Sequence, residues 1–209
     1  MEYTFLAFEL IVLIFSVMIH EVSHGVVALR LGDTTARDMG RLTLNPLKHL
    51  DPIGSFLLPL ILAISHAPII GWAKPVPYNP YNLRDPKKGA ALISVAGPLS
   101  NISLALVFGA FLRILSATDF LAFDSFIFTA FTHIVLVNIA LAVFNLIPIP
   151  PLDGSKVFFA ILPPGYSHIE AFLSQYGFFI IIFLLFVTGF NFIAPVIFWI
   201  YALIVGAPF

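Results

Sequence analysis

The chain contains no cysteine, which excludes disulfides and thiolate metal sites and leaves the redox compartment unread. Charge is scarce as well. Asp, Glu, Lys and Arg make up 10% of the 209 residues, against about a quarter in a soluble domain. The net charge of −1 offers no basic footprint, so nucleic acid is not an expected partner. No basic stretch and no small-residue cleavage pattern precede His20. The N-terminus therefore reads as a retained transmembrane helix rather than a signal peptide. No internal repeat or low-complexity tract is visible, and no polar linker divides residues 1–209, which read as one domain. What the chain has is apolar sequence: 60% hydrophobic residues, 23 of them Phe, and a mean hydropathy of +1.02. This is the composition of an integral membrane protein, whose first partner is the lipid bilayer.

Residues 5–29 are long enough to cross a bilayer and end at Arg30. Residues 31–52 are polar and turn-rich. The alternation in Arg41-Leu42-Thr43-Leu44, broken by Asn45-Pro46, predicts a short β-hairpin. Residues 53–72 are apolar but interrupted by Gly54, Pro59, His66, Pro68 and Gly71. They either cross the membrane or dip in and return. A dip keeps eight of the ten Lys and Arg on one face, as the positive-inside rule prefers, so a re-entrant loop is expected. Residues 89–115 form a second span, where Ala90, Ser94, Gly97, Asn101 and Ala105 make a stripe that lets another helix approach. Residues 126–148 form a third, with Asn138 and Asn145 on nearly one face. Residues 175–207 carry one broken helix or two short segments. The expected fold is an all-α polytopic bundle of about four to six transmembrane segments, with the hairpin and the re-entrant loop.

Inside the first span lies His20-Glu21-Val22-Ser23-His24. Two histidines four apart share a helical face and can hold zinc, and the glutamate between them can serve as general base. Polar groups at such depth should face the bundle interior. A catalytic zinc usually takes three protein ligands. His49, His66, His133, His168 and the acidic residues are the remaining candidates, and Asp153 is preferred. It follows Asn145-Leu146-Ile147-Pro148-Ile149-Pro150-Pro151-Leu152, where the prolines forbid regular helix, and Gly154 permits a sharp turn. His20 and His24 lie about 12 Å inside from Arg30 at 1.5 Å per residue. If 53–72 does not cross, the Asp153 segment approaches the same face.

Together these motifs resemble the site-2 protease family of intramembrane zinc metalloproteases. His20 to His24 matches its HExxH, Asn145 to Gly154 its N-x-x-P-x-x-x-L-D-G, and Gly97-Pro98-Leu99-Ser100-Asn101 its G-P-x-x-N. The matches cover residues 16–156, in a compact prokaryotic form without a PDZ-like or CBS-like domain. The resemblance implies one Zn²⁺ per chain on His20, His24 and Asp153, and hydrolysis of transmembrane protein substrates within or near their spans, as in regulated intramembrane proteolysis. It makes Glu21 the general base, with Asn145 donating to the oxyanion or the substrate backbone. Strand 41–45 would offer the substrate an edge, and 71–77 would clamp or gate it. Asn101 and Asn138 read as packing residues, and the basic residues as determinants of topology. The expected location is a prokaryotic plasma membrane, with the site nearer the cytoplasmic face. Two other functions use the same residues: a cation transporter with His20, Glu21 and His24 along its path, and a non-catalytic scaffold for transmembrane helices.

Overall fold

The computed structural model describes residues 2–57, 61, 64, 74–117, 125–163, 165–189 and 191–206. Its helices are α1 (Glu2–Arg30), α2 (Thr35–Asp38), α3 (Pro86–Ala117), α4 (Phe126–Asn145), α5 (Asp153–Ile161), α6 (Ser167–Thr188) and α7 (Ala194–Val205). Stretches in α1, α3, α4 and α6 are long and apolar enough to cross a bilayer. Residues 175–205 resolve into parts of two helices, separated at Gly189, whose φ of 59° favours glycine.

Every fourth residue of α1 from Val12 to Ala28 is buried, namely Val12, Ser16, His20, His24 and Ala28. The matching face of α3 is Gly89, Ile93, Gly97, Asn101, Ala105 and Gly109. Small residues on that face bring the two backbones close, as in other membrane helix pairs. The helices run antiparallel. Asn101 bonds to Ser16 and His20, His24 bonds to Ile93, and Ala28 packs with Ile93 and Leu83. Helix α4 runs parallel to α1, since Phe8 meets Phe126, Glu9 meets His133 and Ser16 meets Asn138. Helices α3, α4 and α7 share a core of Ala105, Leu112, Val135, Ile139, Tyr201 and Val205.

This register fixes where the chain enters and leaves. The segment from Leu31 to Asp85 starts and finishes at one end of the bundle, and α4 delivers Asn145 to that same end. The re-entrant loop expected at 53–72 falls largely on residues outside those described. The β-hairpin does not form, and no strand occurs among the described residues. Side chains take the backbone groups a ladder would use. The Thr43 hydroxyl accepts from Asn45 N–H, the His49 ring donates to Thr43 C=O, and the Asn45 side chain caps a 3₁₀ turn at Pro46–Lys48.

Asp33 ties the end of α1 to the loop returning toward α3. It is fully buried and accepts from the Thr35 hydroxyl and N–H, the Asn79 N–H and the Asn82 amide, at 2.6 to 3.2 Å. Burial opposes its ionisation, but these bonds outweigh it and hold the carboxyl below its ordinary value. A lowered folded value stabilises the fold above the unfolded carboxylate value near 3.9, and that contribution fades as pH falls through the folded value. In thermal melts from pH 6 to pH 2.5, Asp33→Asn should melt lower than wild type near neutrality, with the gap narrowing in acid. A constant gap would contradict this assignment.

Candidate metal centre

His20 and His24 are one turn apart on the buried face of α1. Asp153 opens α5, just beyond the proline-rich turn that follows α4, and is itself buried. Its Oδ2 lies 3.1 Å from His20 Nε2 and 3.1 Å from His24 Nε2. These three side chains form one potential metal-binding group.

The hydrogen bonds behind the ligands decide what the group can hold. His20 Nδ1 donates to Asn101 Oδ1 at 2.6 Å, and His24 Nδ1 donates to the Ile93 carbonyl at 2.6 Å. Both partners only accept, so each neutral ring carries its proton on Nδ1 and presents a bare Nε2 lone pair. Two lone pairs and a carboxylate oxygen then face one another, an arrangement that calls for a cation. A tetrahedral zinc with bonds of about 2.0–2.1 Å separates neighbouring ligand atoms by about 3.3 Å, close to the spacing found. The residues present therefore fit zinc.

Asn101 is in turn held in place. Its amide donates to Asn138 Oδ1 at 2.8 Å and to the Ser16 carbonyl, while Asn138 donates to the Ser16 hydroxyl. Asn101 and Asn138 are fully buried. Asn101 thus orients a candidate metal ligand, a role that the packing reading of the sequence did not include. The available signal was its place one turn after Gly97 on the stripe facing His20. Partners of this kind usually alter metal affinity by about 10–100-fold. Asn101→Leu should weaken zinc binding by about that factor, as read by chelator competition, and unchanged affinity would contradict the orienting role.

Gly97 gives the rings their space. A Cβ there would lie 2.5 Å from His20 Nε2 and 2.6 Å from His24 Cε1. Gly154 does the same for the turn, since a Cβ would run into the Leu146 carbonyl oxygen.

Glu21 lies beside the ligands, and its Oε2 accepts the Val76 N–H at 2.7 Å. His20, Glu21, His24, Asn145, Asp153 and the extended segment containing Pro75, Val76 and Tyr78 line a cavity of about 160 Å³. That is below the roughly 300–1,000 Å³ of ligand pockets. Asn145 lines the cavity, and one of its amide hydrogens goes to Leu141 C=O in its own helix. Lys156, which sequence reasoning passed over, reaches it from α5. Its Nζ lies 4.0 Å from Asp153 Oδ1 and 5.4 Å from the centre of the Tyr78 ring.

The other candidate ligands lie elsewhere. His49 is buried against Thr43, His133 pairs with Glu9, and His168 lies beside Tyr166. Asp51 accepts from the N–H groups of Ile53 and Gly54. His66 is outside the described residues.

Comparison with known proteins is consistent with this geometry. The model of peptidase family M50 matches residues 8–184. YwhC of Bacillus subtilis, which carries the name of a zinc metalloprotease, is 40% identical over 182 residues, covering 85% of this chain and 79% of YwhC. Rip2 of Mycolicibacterium smegmatis, similarly named, is 32% identical over 177 residues, covering 84% of this chain and 65% of Rip2. The Rip2 of Mycobacterium tuberculosis is 30% identical over 140 residues, 66% of this chain and 51% of its own length. The chain thus spans about four-fifths of YwhC but less than two thirds of either Rip2. No solved structure matches it.

Proposed function

The chain belongs to peptidase family M50, and on that premise we propose that it is an intramembrane zinc endopeptidase acting on peptide bonds within or near the transmembrane segments of other membrane proteins. One observation carries this reading: two bare imidazole nitrogens and a carboxylate oxygen converge beside Glu21 on a helix long and apolar enough to cross a bilayer. His20, His24 and Asp153 are the zinc ligands. Zinc, when bound there, supplies Lewis acidity to a water and to the scissile carbonyl.

The protein's own groups do the rest. Glu21 accepts a proton from the attacking water, whose oxygen bonds to the carbonyl carbon. As the carbon–nitrogen bond breaks, the same carboxyl gives that proton to the departing amine. Asn145 spends one amide hydrogen on its own helix and has a second to offer the substrate backbone or the developing oxyanion. The substrate must arrive locally unwound, because a helical amide is already hydrogen-bonded within its own segment.

Residues 1–209 act as a single domain. The end of the bundle bearing Arg30, Arg37, Arg41 and Lys48 faces the cytoplasm of a prokaryotic plasma membrane, and the site opens nearer that face. Substrates are membrane proteins cut in the course of regulated intramembrane proteolysis.

Reconstitution with a single-span substrate tests the reading. Proteoliposomes should cleave the substrate, lose cleavage on chelation and regain it with added zinc. Zinc flux without cleavage would support transport instead, and substrate capture without zinc or cleavage would support a scaffold.

A further inference from the structure

Among the described residues, Arg41 is a buried cation with no acid beside it. It is 7% exposed, and no carboxylate lies within ion-pair distance of it among the described residues. Its Nε is buried without a hydrogen-bond partner among the described residues. Burying a charge this way is costly unless the bonds it does make matter. Those bonds are two, both from Nη2, to the Lys74 carbonyl at 2.7 Å and the Pro75 carbonyl at 3.2 Å.

The chain that Arg41 grips is the strap crossing the metal cavity. Lys74 N–H is anchored to the His49 carbonyl at 2.8 Å. Pro75 and Pro77 have no amide hydrogen, so Val76 supplies the one N–H of residues 75–77. That hydrogen goes to Glu21 Oε2. The strap lies tight on α1: a Cβ at Gly25, one turn after Glu21, would come within 2.8 Å of Val76 Cγ1. With Oε2 engaged, Glu21 has one rotamer held and one oxygen, Oε1, left for the water.

We propose that Arg41 is a positioning residue for the hydrolysis, acting through the 74–76 strap, whose Val76 N–H holds the Glu21 carboxylate in its working orientation. This rests on the reading of Glu21 as general base. Arg41 touches neither metal nor substrate in this account. Its guanidinium holds two successive carbonyls through one nitrogen, Nη2, a pair of bonds that a lysine ammonium with its three donors can make in part. The basic residues of this loop read from sequence as topology determinants, and Arg41 is the one turned inward.

The test compares purified, zinc-loaded wild type with Arg41→Met, Arg41→Lys and a chain carrying an ester in place of the Val76 amide, on a single-span substrate. The ester removes the Val76 N–H and weakens the Pro75 carbonyl as an acceptor, but it leaves Arg41's shorter bond, to the Lys74 carbonyl at 2.7 Å, intact, so it reports even if Arg41→Met folds poorly. Misplacing a reacting group by about 1 Å costs on the order of 100-fold. Both Arg41→Met and the ester should therefore lower kcat by about 10–100-fold, with KM changed by less than about 3-fold and zinc content unchanged. Arg41→Lys should recover part of the loss. The two lesions act on one strap, so combining them should cost no more than the worse one alone. Unchanged kcat in the ester chain overturns the proposal, as do additive losses or a fall in kcat that tracks loss of zinc. Glu21→Gln run alongside separates the premises. If it stays active, the general-base reading fails; if it is dead while Arg41→Met and the ester are fully active, only the positioning role fails.

Discussion

Glu21→Gln is expected to lower cleavage by about 100–10,000-fold while leaving zinc in place, the range over which a positioned acid–base group contributes. The substitution keeps the shape of the side chain. A glutamine oxygen can still accept the Val76 N–H that Glu21 Oε2 accepts at 2.7 Å, so the strap should stay where it is. The three ligands are untouched, with His20 still held by Asn101 and His24 by the Ile93 carbonyl. The amide cannot take a proton from water or return one to the leaving amine. Metal analysis and substrate cleavage on the same preparation separate the two roles. Zinc retained with cleavage lost is the expected outcome. Zinc retained with full cleavage would remove Glu21 from the chemistry.

Gly97→Ala is expected to be nearly as damaging by a different route. The added methyl falls within 2.6 Å of atoms in both ligand rings, far inside van der Waals contact. The rings cannot both retreat, because His20 is tied to Asn101 and His24 to the Ile93 carbonyl, on the very helix that carries the methyl. Either α3 moves away from α1 or one Nε2 leaves the site. Overpacking of this kind costs about 1–3 kcal/mol, and much of that strain would fall on the metal ligands. Zinc bound per chain should drop well below wild type, and cleavage with it, while helix content by circular dichroism stays near wild type. Normal zinc occupancy would show that the two helices are not as closely apposed as described.

The parts of this site legible in the sequence are those whose chemistry is local. His20, Glu21 and His24 share one helical face by spacing alone, and the prolines before Asp153 announce the end of a span. The first three spans follow from apolar length, with observed bounds within a few residues of the expected ones, whereas α6 begins at Ser167, eight residues before the expected start at 175. What stayed hidden depends on tertiary pairing. Asn101 looks like any polar residue on a small-residue stripe until α3 is laid antiparallel on α1. Arg41 looks like a surface cation until the 74–76 strap is brought over it. The hairpin expected at 41–45 failed for a related reason: alternation suggested a ladder, but the side chains of Thr43, Asn45 and His49 satisfy the local backbone instead.

The central claim is that two imidazoles and one carboxylate hold a zinc ion inside the membrane domain. Zinc K-edge X-ray absorption on the purified wild-type chain tests it most directly. One zinc per chain is expected, bound by two imidazole nitrogens and oxygen, with loss of an imidazole or of the metal in His20→Ala. A chain that cleaves its substrate with no zinc bound, or whose zinc shows no imidazole ligand, would contradict it.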